Sequence, residues 1–398
     1  MGERIGMKVR FLRHVVLPAL LLCLTACSSN STLLNGGEGL LFVAAQGNSS
    51  VSIYGVDLSN GTLSAASSTV TTGAAPSAIA VTPALDAMFV ANSASNNISS
   101  YTFSSDTLAP TGGTTPAGTT PMGLAIDPGG KFLFVANQGS STISVFSIKG
   151  AALTAVPGSP FTTVPIGLSY PNGTLPVAVA VSNSGNFLYV ANQLANFVSV
   201  FKVGASGALT QSGVPFYATG DSPSGIGISP NGGFLYVTNA GATSNNVSAF
   251  FICDAVVNSC TNPNSPDGTL SPVAGSPFPA GLGPVGIAFD LNFNFAYVVD
   301  KGSNTISQYS YGAGSGVLTP LSPGTISTGL TPVSVAVRTG ATGTDIGNTT
   351  TNPTDYVYVA NNGASTVSIY TLTTTTGLLN VSGMPFVTDG QTSAIVVK

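Results

Sequence analysis

Charged side chains are scarce in this chain of 398 residues, where Asp, Glu, Lys and Arg together make up 6%. An average soluble protein has about 25%. Tryptophan is absent and histidine occurs once, at His14. The near absence of lysine and glutamate, which usually cover exposed helices, argues against a helical protein. The 48 glycines and 26 prolines instead favour short strands joined by tight turns, and hence an all-β fold.

Positive charge is missing from most of the chain. Four of the ten basic residues lie within the first 14 positions. Beyond residue 27, six basic residues stand against thirteen acidic ones, a net charge of −7. Such a chain has no basic stripe for a phosphate backbone, so we expect no nucleic-acid partner and no binding to anionic lipid headgroups.

Long hydrophobic runs are confined to the N-terminus. Basic residues up to Arg13 precede an apolar run, Val15 to Leu24, and then the residues Leu24-Thr25-Ala26-Cys27. This order is typical of a secretory signal, with Met1 or Met7 as its start. No later segment approaches the roughly 20 apolar residues that span a bilayer.

The end of this signal resembles the lipobox of bacterial lipoproteins. The resemblance implies a signal peptide over residues 1–27, a lipid on Cys27 and a flexible tether over residues 28–39. We therefore expect an exported protein held at the bacterial outer membrane by its lipid alone, facing the periplasm or the cell surface.

Cysteine is rare beyond the signal, where only Cys253 and Cys260 occur. An exported chain meets oxidising conditions, so a disulfide between them is the first expectation, with metal binding or free thiols as alternatives. No histidine follows the signal to complete a metal site. We expect neither a metal nor a cofactor.

One short phrase occurs seven times: an apolar strand, a small polar corner and a second strand. The copies are LFVAAQGNSSVSIY at Leu41, MFVANSASNNISSY at Met88, LFVANQGSSTISVF at Leu133, LYVANQLANFVSVF at Leu188, LYVTNAGATSNNVSAF at Leu235, AYVVDKGSNTISQY at Ala296 and VYVANNGASTVSIY at Val357. A repeat of this length with strand periodicity is typical of radially stacked sheets.

Two further strands complete each repeat. A strand such as PVAVAV at Pro176 precedes the phrase, and a Leu-led strand such as LTAVPGSPF at Leu153 follows it. The chain begins with a second strand, Leu40 to Ala45, and ends with a first strand, Ser393 to Val397. Pairing of these two strands would close the ring and remove its open edges. We therefore predict a seven-bladed β-propeller of four-stranded antiparallel blades over residues 40–398.

The repeat residues also resemble a known family. Tyr236-Val237-Thr238-Asn239 reads YVTN, the phrase of YVTN-type propeller repeats, and P-x-G-I/L-A and GSPF motifs accompany it. The pattern is similar to the seven-bladed lactonase propellers, which include bacterial 6-phosphogluconolactonase and carboxymuconate cyclase-like enzymes. The resemblance covers Leu40 to Lys398 and implies the fold, with a lactonase-like activity at the central channel as one possible function.

The asparagine of the phrase is interpreted as a structural turn residue, because seven equivalent copies cannot serve one active site. It recurs at Asn92, Asn137, Asn192, Asn239 and Asn361, with Asp300 and Ala45 in the remaining two copies.

Three ionisable residues at the ends of first strands are the candidate site residues. Asp127 and Asp290 directly follow first strands, where turn capping is the competing explanation. Arg338 is the only arginine beyond the signal, and an oxyanion clamp or a solvated strand end would each account for it. The other cations, Lys131, Lys149, Lys202, Lys301 and Lys398, are dispersed along the sequence, which does not favour a phosphorylated substrate.

Scarce ionisable chemistry leads us to favour a monomeric, non-catalytic scaffold that binds an envelope protein or a neutral polysaccharide. The alternative is a lactonase-like hydrolase or cycloisomerase with its site at the central channel. Three extended loops are either binding surfaces or tolerated insertions without a function: residues 253–268 and 339–355 on one face, and residues 162–175 on the other.

Overall fold

A computed structural model describes residues 38–57, 59–104, 107–254, 267–292, 294–338 and 355–398. Within these ranges every regular element is a β-strand, which confirms the all-β prediction. The predicted signal, Cys27 and the tether up to residue 37 lie outside the described residues. In the described part of the chain, no helix has the length and apolar character needed to cross a bilayer.

Thirty-one strands form seven antiparallel sheets, numbered here as blades in chain order. The strands of blades one to three are β1 (Glu38–Ala45), β2 (Ser50–Asp57), β3 (Leu63–Thr71), β4 (Pro76–Val81), β5 (Ala87–Asn92), β6 (Asn97–Ser104), β7 (Thr107–Pro116), β8 (Pro121–Ile126), β9 (Phe132–Asn137), β10 (Thr142–Lys149), β11 (Ala152–Ala155) and β12 (Phe161–Thr162). Those of blades four and five are β13 (Pro176–Val181), β14 (Phe187–Asn192), β15 (Phe197–Val203), β16 (Leu209–Ala218), β17 (Pro223–Ile228), β18 (Phe234–Asn239), β19 (Asn246–Ile252), β20 (Leu270–Pro272) and β21 (Phe278–Pro279). Those of blades six and seven, with the last strand, are β22 (Pro284–Phe289), β23 (Phe295–Asp300), β24 (Thr305–Tyr311), β25 (Leu318–Ser327), β26 (Pro332–Arg338), β27 (Asp355–Asn361), β28 (Thr366–Leu372), β29 (Leu379–Val381), β30 (Phe386–Val387) and β31 (Thr392–Val397).

The first strand of each blade is innermost, and these seven strands contact one another in a closed circle. The circle runs β4, β8, β13, β17, β22, β26, β31 and back to β4. All of them are buried along nearly their whole length, because neighbouring blades cover both of their faces. Short runs of Val, Ile and Ala suit this position, since β-branched and small side chains pack well between two sheets.

The disc has two chemically distinct faces. The start face is the side where innermost strands begin, as at Pro76, and where second strands end, as at Asn92. The end face is the opposite side, where innermost strands end, as at Val81. The connection over residues 163–175 leaves from the start face, whereas Cys253 and Arg338, which precede the other two extended loops, lie on the end face.

The last strand closes the ring, as the sequence predicts. β31 pairs with β1 in antiparallel register, with Val43 opposite Ile395. The amide of Leu40 donates to the carbonyl of Lys398, and the amide of Lys398 donates to the carbonyl of Leu40, both at 2.9 Å. Strand β1 begins at Glu38, two residues before the predicted start of the propeller at residue 40.

The fourth strand is less regular than the repeat pattern predicts. In blades three, five and seven it is divided into two short segments, and both segments pair with the third strand. The Pro/Gly-rich GSPF exit interrupts the strand at Gly158 and Gly275, both of which have positive φ. Proline cannot donate to the ladder, so it is tolerated at this outer edge.

Cys253 follows β19 and is buried. Cys260 lies outside the described residues. The pairing of these two cysteines therefore stays a prediction.

Candidate functional site

The recurrent asparagines are structural, as their repetition suggests. Each is fully buried, and in five blades its Nδ2 donates to a serine hydroxyl of the third strand at 2.9 Å. In blade six the polarity is reversed, because the Ser307 hydroxyl donates to the Asp300 carboxylate at 2.7 Å. In blade one, Ala45 has no polar group, and the Ser52 hydroxyl donates to Asp389 instead. These side chains hold second and third strands together. The Oδ1 atoms of Asn92, Asn192 and Asn239 have no hydrogen-bond partner among the described residues, but they are enclosed by the protein.

Ionisable residues gather at the end-face opening of the central channel, called here the end mouth. Around this opening, equivalent positions are occupied by the residue at the end of each innermost strand, which is the sixth residue after the first residue of the strand. These seven residues are Thr82, Asp127, Ser182, Ser229, Asp290, Arg338 and Lys398. The three candidate residues from the sequence therefore share one ring, although 211 positions separate Asp127 from Arg338 in the chain.

Asp127 has a structural role in this ring. Its carboxylate accepts backbone N–H groups from Gly129, Lys131 and Phe132, at 3.0, 2.7 and 2.5 Å. The hydroxyls of Thr82, Ser182 and Ser229 accept the equivalent N–H in their own blades. Turn capping therefore accounts for Asp127.

Asp290 and Arg338 lie on neighbouring innermost strands, β22 and β26, which contact each other. The sequence does not single out Asp355, the first residue of β27, as a site residue. Arg338 pairs across the sheet with Tyr356, the residue after Asp355, so both charged groups lie at the same end of blade seven. Asp290 and Asp355 are fully buried, and the Asp290 carboxylate accepts the backbone N–H of Asn292 at 2.9 Å, a turn-capping contact like that of Asp127 with Gly129.

The charges of this cluster shift the pKa values of two buried tyrosines. Burial raises the pKa of Tyr297, and the negative charges of Asp290 and Asp355 raise it further. Burial also raises the pKa of Tyr358, while the positive charge of Arg338 acts in the opposite direction. The Tyr297 hydroxyl therefore lies near carboxylates from two blades. Asp290 and Asp355 thus lie on either side of the boundary between blades six and seven.

Lys398 adds a second cation on the next blade of the ring. It follows β31, and β31 contacts β26, whose last residue is Arg338. Burial lowers the pKa of Lys398 to about 8. Lys131, Lys149 and Lys202 are exposed on third strands or turns away from this position. Three consecutive blades, six, seven and one, therefore end in Asp290, Arg338 and Lys398.

A register signal in the sequence would have identified Lys398. When the seven first strands are aligned, the residue after each one reads T, D, S, S, D, R and K. The last two are the only bases, and ring closure makes them neighbours. Asp355 carries no such signal, because a long connection separates it from its own first strand.

At the end mouth, the buried carboxylates of Asp290 and Asp355 belong to blades whose innermost strands also end in cations or adjoin one that does. In general, a carboxylate can take a proton from water and a cation can stabilise an oxyanion. Such a set suits hydrolysis of an ester or a lactone. Among the described residues, no group of three or more His, Cys, Asp or Glu side chains is arranged to hold a metal ion.

Solved structures with the same fold come from several bacteria. A candidate 6-phosphogluconolactonase of Bacteroides fragilis has a TM-score of 0.72 and 18% identity, over 93% of this chain and 100% of that one. A similar protein of Bacteroides uniformis has a TM-score of 0.71 and 18% identity, over 91% of this chain and 100% of that one. The periplasmic gluconolactonase PpgL of Pseudomonas aeruginosa has a TM-score of 0.71 and 19% identity, over 90% of this chain and 99% of that one.

A sequence comparison with curated proteins gave no match. The model of one protein family, described as lactonase with a seven-bladed β-propeller, matches residues 32–112, 77–154, 159–255 and 260–390. These segments span most of the sequence and all seven blades. The chain therefore belongs to the family of lactonases with a seven-bladed β-propeller.

Proposed function

We propose that this chain is a hydrolase that opens sugar lactones at the end mouth. The observation that carries the proposal is the placement of Asp290, Arg338 and Lys398 on three consecutive innermost strands of a lactonase-family propeller. The gluconolactonase named among the similar structures suggests the substrate class. This evidence supports hydrolysis better than the non-catalytic scaffold that the scarcity of charge favours.

The proposed reaction needs a base and an oxyanion stabiliser. A carboxylate, Asp290 or Asp355, takes a proton from water while the water oxygen attacks the lactone carbonyl carbon. Negative charge develops on the carbonyl oxygen, and Arg338 stabilises it. The ring C–O bond then breaks and its oxygen takes up a proton, which gives a hydroxy acid.

Lys398 is proposed to supply that proton. Because burial lowers its pKa to about 8, its ammonium form persists at neutral pH but is lost in mildly alkaline solution. An ordinary lysine would stay charged to about pH 10. The rate above background should therefore fall as the pH rises through 8, and the Lys398→Met variant should lack this fall.

The test is acid release by the full-length protein from glucono-δ-lactone, its 6-phosphate and a simple γ-lactone, after subtraction of spontaneous hydrolysis. We expect turnover of at least one sugar lactone. Arg338→Met should lower kcat/KM about 100-fold, and so should either Asp290→Asn or Asp355→Asn, whichever removes the base, as expected when a positioned transition-state charge is removed. The 6-phosphate arm shows whether Arg338 and Lys398 together favour a phosphorylated substrate.

The matched control is Lys202→Met, which removes an exposed lysine of β15 and should leave the rate unchanged. Melting temperatures of all variants separate loss of chemistry from loss of fold. If the folded protein hydrolysed none of the lactones, the hydrolase proposal would be wrong and the non-catalytic scaffold would be favoured again. Turnover that survives all of the end-mouth substitutions would place the site elsewhere on the propeller.

We further propose that the chain is exported and anchored by a lipid on Cys27. The basic leader, apolar run and small residues before Cys27 support this location. Incorporation of a palmitate analogue in bacteria, abolished by Cys27→Ser, is the expected outcome. An unlabelled, freely soluble periplasmic protein would contradict the lipid anchor.

A further inference from the structure

The opposite opening of the channel, called here the start mouth, carries a second ring with different chemistry. The residue that directly follows each second strand lies at an equivalent position on the start face. These seven residues are Gln46, Ser93, Gln138, Gln193, Ala240, Lys301 and Asn362. Four of these seven residues have amide side chains, and one of the seven, Lys301, is charged.

The backbone of this ring is fixed in every blade. Each ring residue donates its N–H to the carbonyl of the residue that precedes an innermost strand, at 2.7 to 3.0 Å. For example, Gln138 bonds to Thr120 and Gln193 bonds to Leu175. The ring therefore follows the rim of the channel, beside the first residues of the innermost strands.

The amide side chains cross from blade to blade along this rim. Gln138 Nε2 donates to Gln193 Oε1 at 3.1 Å, which links blades three and four. Asn362 Nδ2 donates to the carbonyl of Thr392, the first residue of β31 in blade one, at 2.7 Å. All four amide residues are half-buried, whereas the asparagines one position earlier are fully enclosed. The side chains of Gln138, Gln193 and Asn362 are therefore held by hydrogen bonds and still reach solvent.

This chemistry matches a neutral sugar. A hydroxyl group of a sugar both donates and accepts a hydrogen bond, and an amide side chain offers a donor and an acceptor together. The rim also exposes apolar side chains that suit the C–H faces of a sugar ring, since Leu194, Leu282 and Leu330 are 49%, 58% and 60% exposed. An anionic ligand would instead require several cations, and Lys301 is the only one in the ring.

We propose that the start mouth is a binding site for a neutral sugar unit, separate from the hydrolytic end mouth. The ligand hydroxyls bond to the paired amides of Gln138 and Gln193, and Leu194, which follows Gln193, packs against the sugar ring. The proposal does not depend on hydrolysis, because none of these residues belongs to the end mouth.

The experiment measures binding of maltotriose and of N,N′,N″-triacetylchitotriose to the full-length protein by calorimetry and ligand-observed NMR. Gluconate is the anionic comparison. We expect at least one neutral trisaccharide to bind, and the Gln138→Leu, Gln193→Leu double variant to weaken its Kd at least tenfold. Asn380→Leu, which changes an exposed amide at the outer edge of blade seven, should leave the Kd unchanged.

Two further variants decide which chemistry operates. Lys202→Met, which removes an exposed cation outside both mouths, should leave the Kd for the neutral trisaccharide within about twofold, whereas Lys301→Met tests the one cation of the start-mouth ring. Binding of gluconate alone, lost in Lys301→Met, would make the start mouth an anion site and overturn the proposal. A folded protein that binds neither trisaccharide, or whose double variant binds as well as the parent, would overturn it too.

Discussion

Asp300 occupies a position where five other blades carry asparagine, and burial raises its pKa to about 6. Hydrogen bonds from Ser307, Thr305 and the amide of Gly281 partly offset the cost of its charge. The folded state binds this proton more tightly than the unfolded chain, so the free energy of unfolding falls as the pH rises from about 4 to 6. Asp300→Asn should therefore stabilise the protein at pH 7, by at most about 3 kcal/mol, and this gain should vanish near pH 4.

The measurement is the melting temperature of both proteins from pH 4 to 8. Asp57 provides a control of opposite sign, because hydrogen bonds from Ser59 lower its pKa. Asp57→Asn should lower the melting temperature slightly at pH 7 and approach the parent in acid. The reason is that a carboxyl whose pKa is lowered on folding stabilises the folded state at pH values above its ordinary pKa. A gain for Asp300→Asn that is equal at pH 4 and pH 8 would contradict the assignment of a buried, titrating carboxyl.

Single residues were predictable from sequence where the repeat isolates them. Repetition showed that Asn92 and its equivalents are structural, and the position after first strands gave Asp127, Asp290 and Arg338. The sequence could not decide between turn capping and chemistry, because that depends on which backbone amides face the carboxylate. Lys398 is identified only when the terminal strand is aligned with the other first strands and the ring is closed. Asp355 could not be identified, because only the sheet register places it at the same end of blade seven as Arg338.

Adjacent blades are joined by a recurring bond between a tyrosine and a glycine. In blades four to seven the second-strand tyrosine donates its hydroxyl to a glycine carbonyl in the hairpin between the third and fourth strands of the next blade. The pairs are Tyr189–Gly268, Tyr236–Gly316, Tyr297–Gly377 and Tyr358–Gly61, at 2.7 to 3.2 Å. Blades one to three carry Phe42, Phe89 and Phe134 at this position and lack the bond.

Removing one bond of this kind should weaken the boundary between two blades. Tyr297→Phe leaves the ring in place but deprives the Gly377 carbonyl of a 2.7 Å donor, which costs about 1–2 kcal/mol. Gly377→Ala should cost more, because Gly377 has φ +74° and an added Cβ would lie 2.3 Å from the ring of Phe295. Thermal unfolding should rank Gly377→Ala below Tyr297→Phe, and both below the parent.

Tyr170→Phe is the matched control, since Tyr170 lies in the connection over residues 163–175 and not between a second strand and a glycine. It should melt like the parent. Equal melting temperatures for Tyr297→Phe and Tyr170→Phe would show that the hydroxyl bond adds nothing to the boundary. The sequence shows that Phe is replaced by Tyr at this position in blades four to seven. It does not show the hydrogen bond to glycine, because in blades four to six the glycine lies about 80 positions away.

At the scale of the whole molecule, the ring was predictable because strands could be counted. Six internal first strands and one terminal one match seven second strands, and closure follows from pairing the chain ends. The structure adds that closure also completes the core. Ile395 and Val397 pack with Leu41 and Val43 of blade one and with residues of blade seven such as Tyr358. Ala394 and Val396 pack on the opposite side, toward blade two.

This double packing makes the last strand a determinant of the entire fold. Deleting the last six residues would uncover β1 and both neighbouring blades. Ile395→Asp would place a charge where 1% of the side chain is exposed, at a cost of about 5 kcal/mol. Either change should lower the melting temperature by about 10 °C or more. Val381→Asp, on the outermost strand of blade seven where the side chain is 64% exposed, should change it by no more than about 2 °C. If the truncated chain melted like the intact one, the stability of the seven blades would not depend on closure by β31. The pairing that makes Arg338 and Lys398 neighbours would then be in doubt, and with it the proposed chemistry at the end mouth.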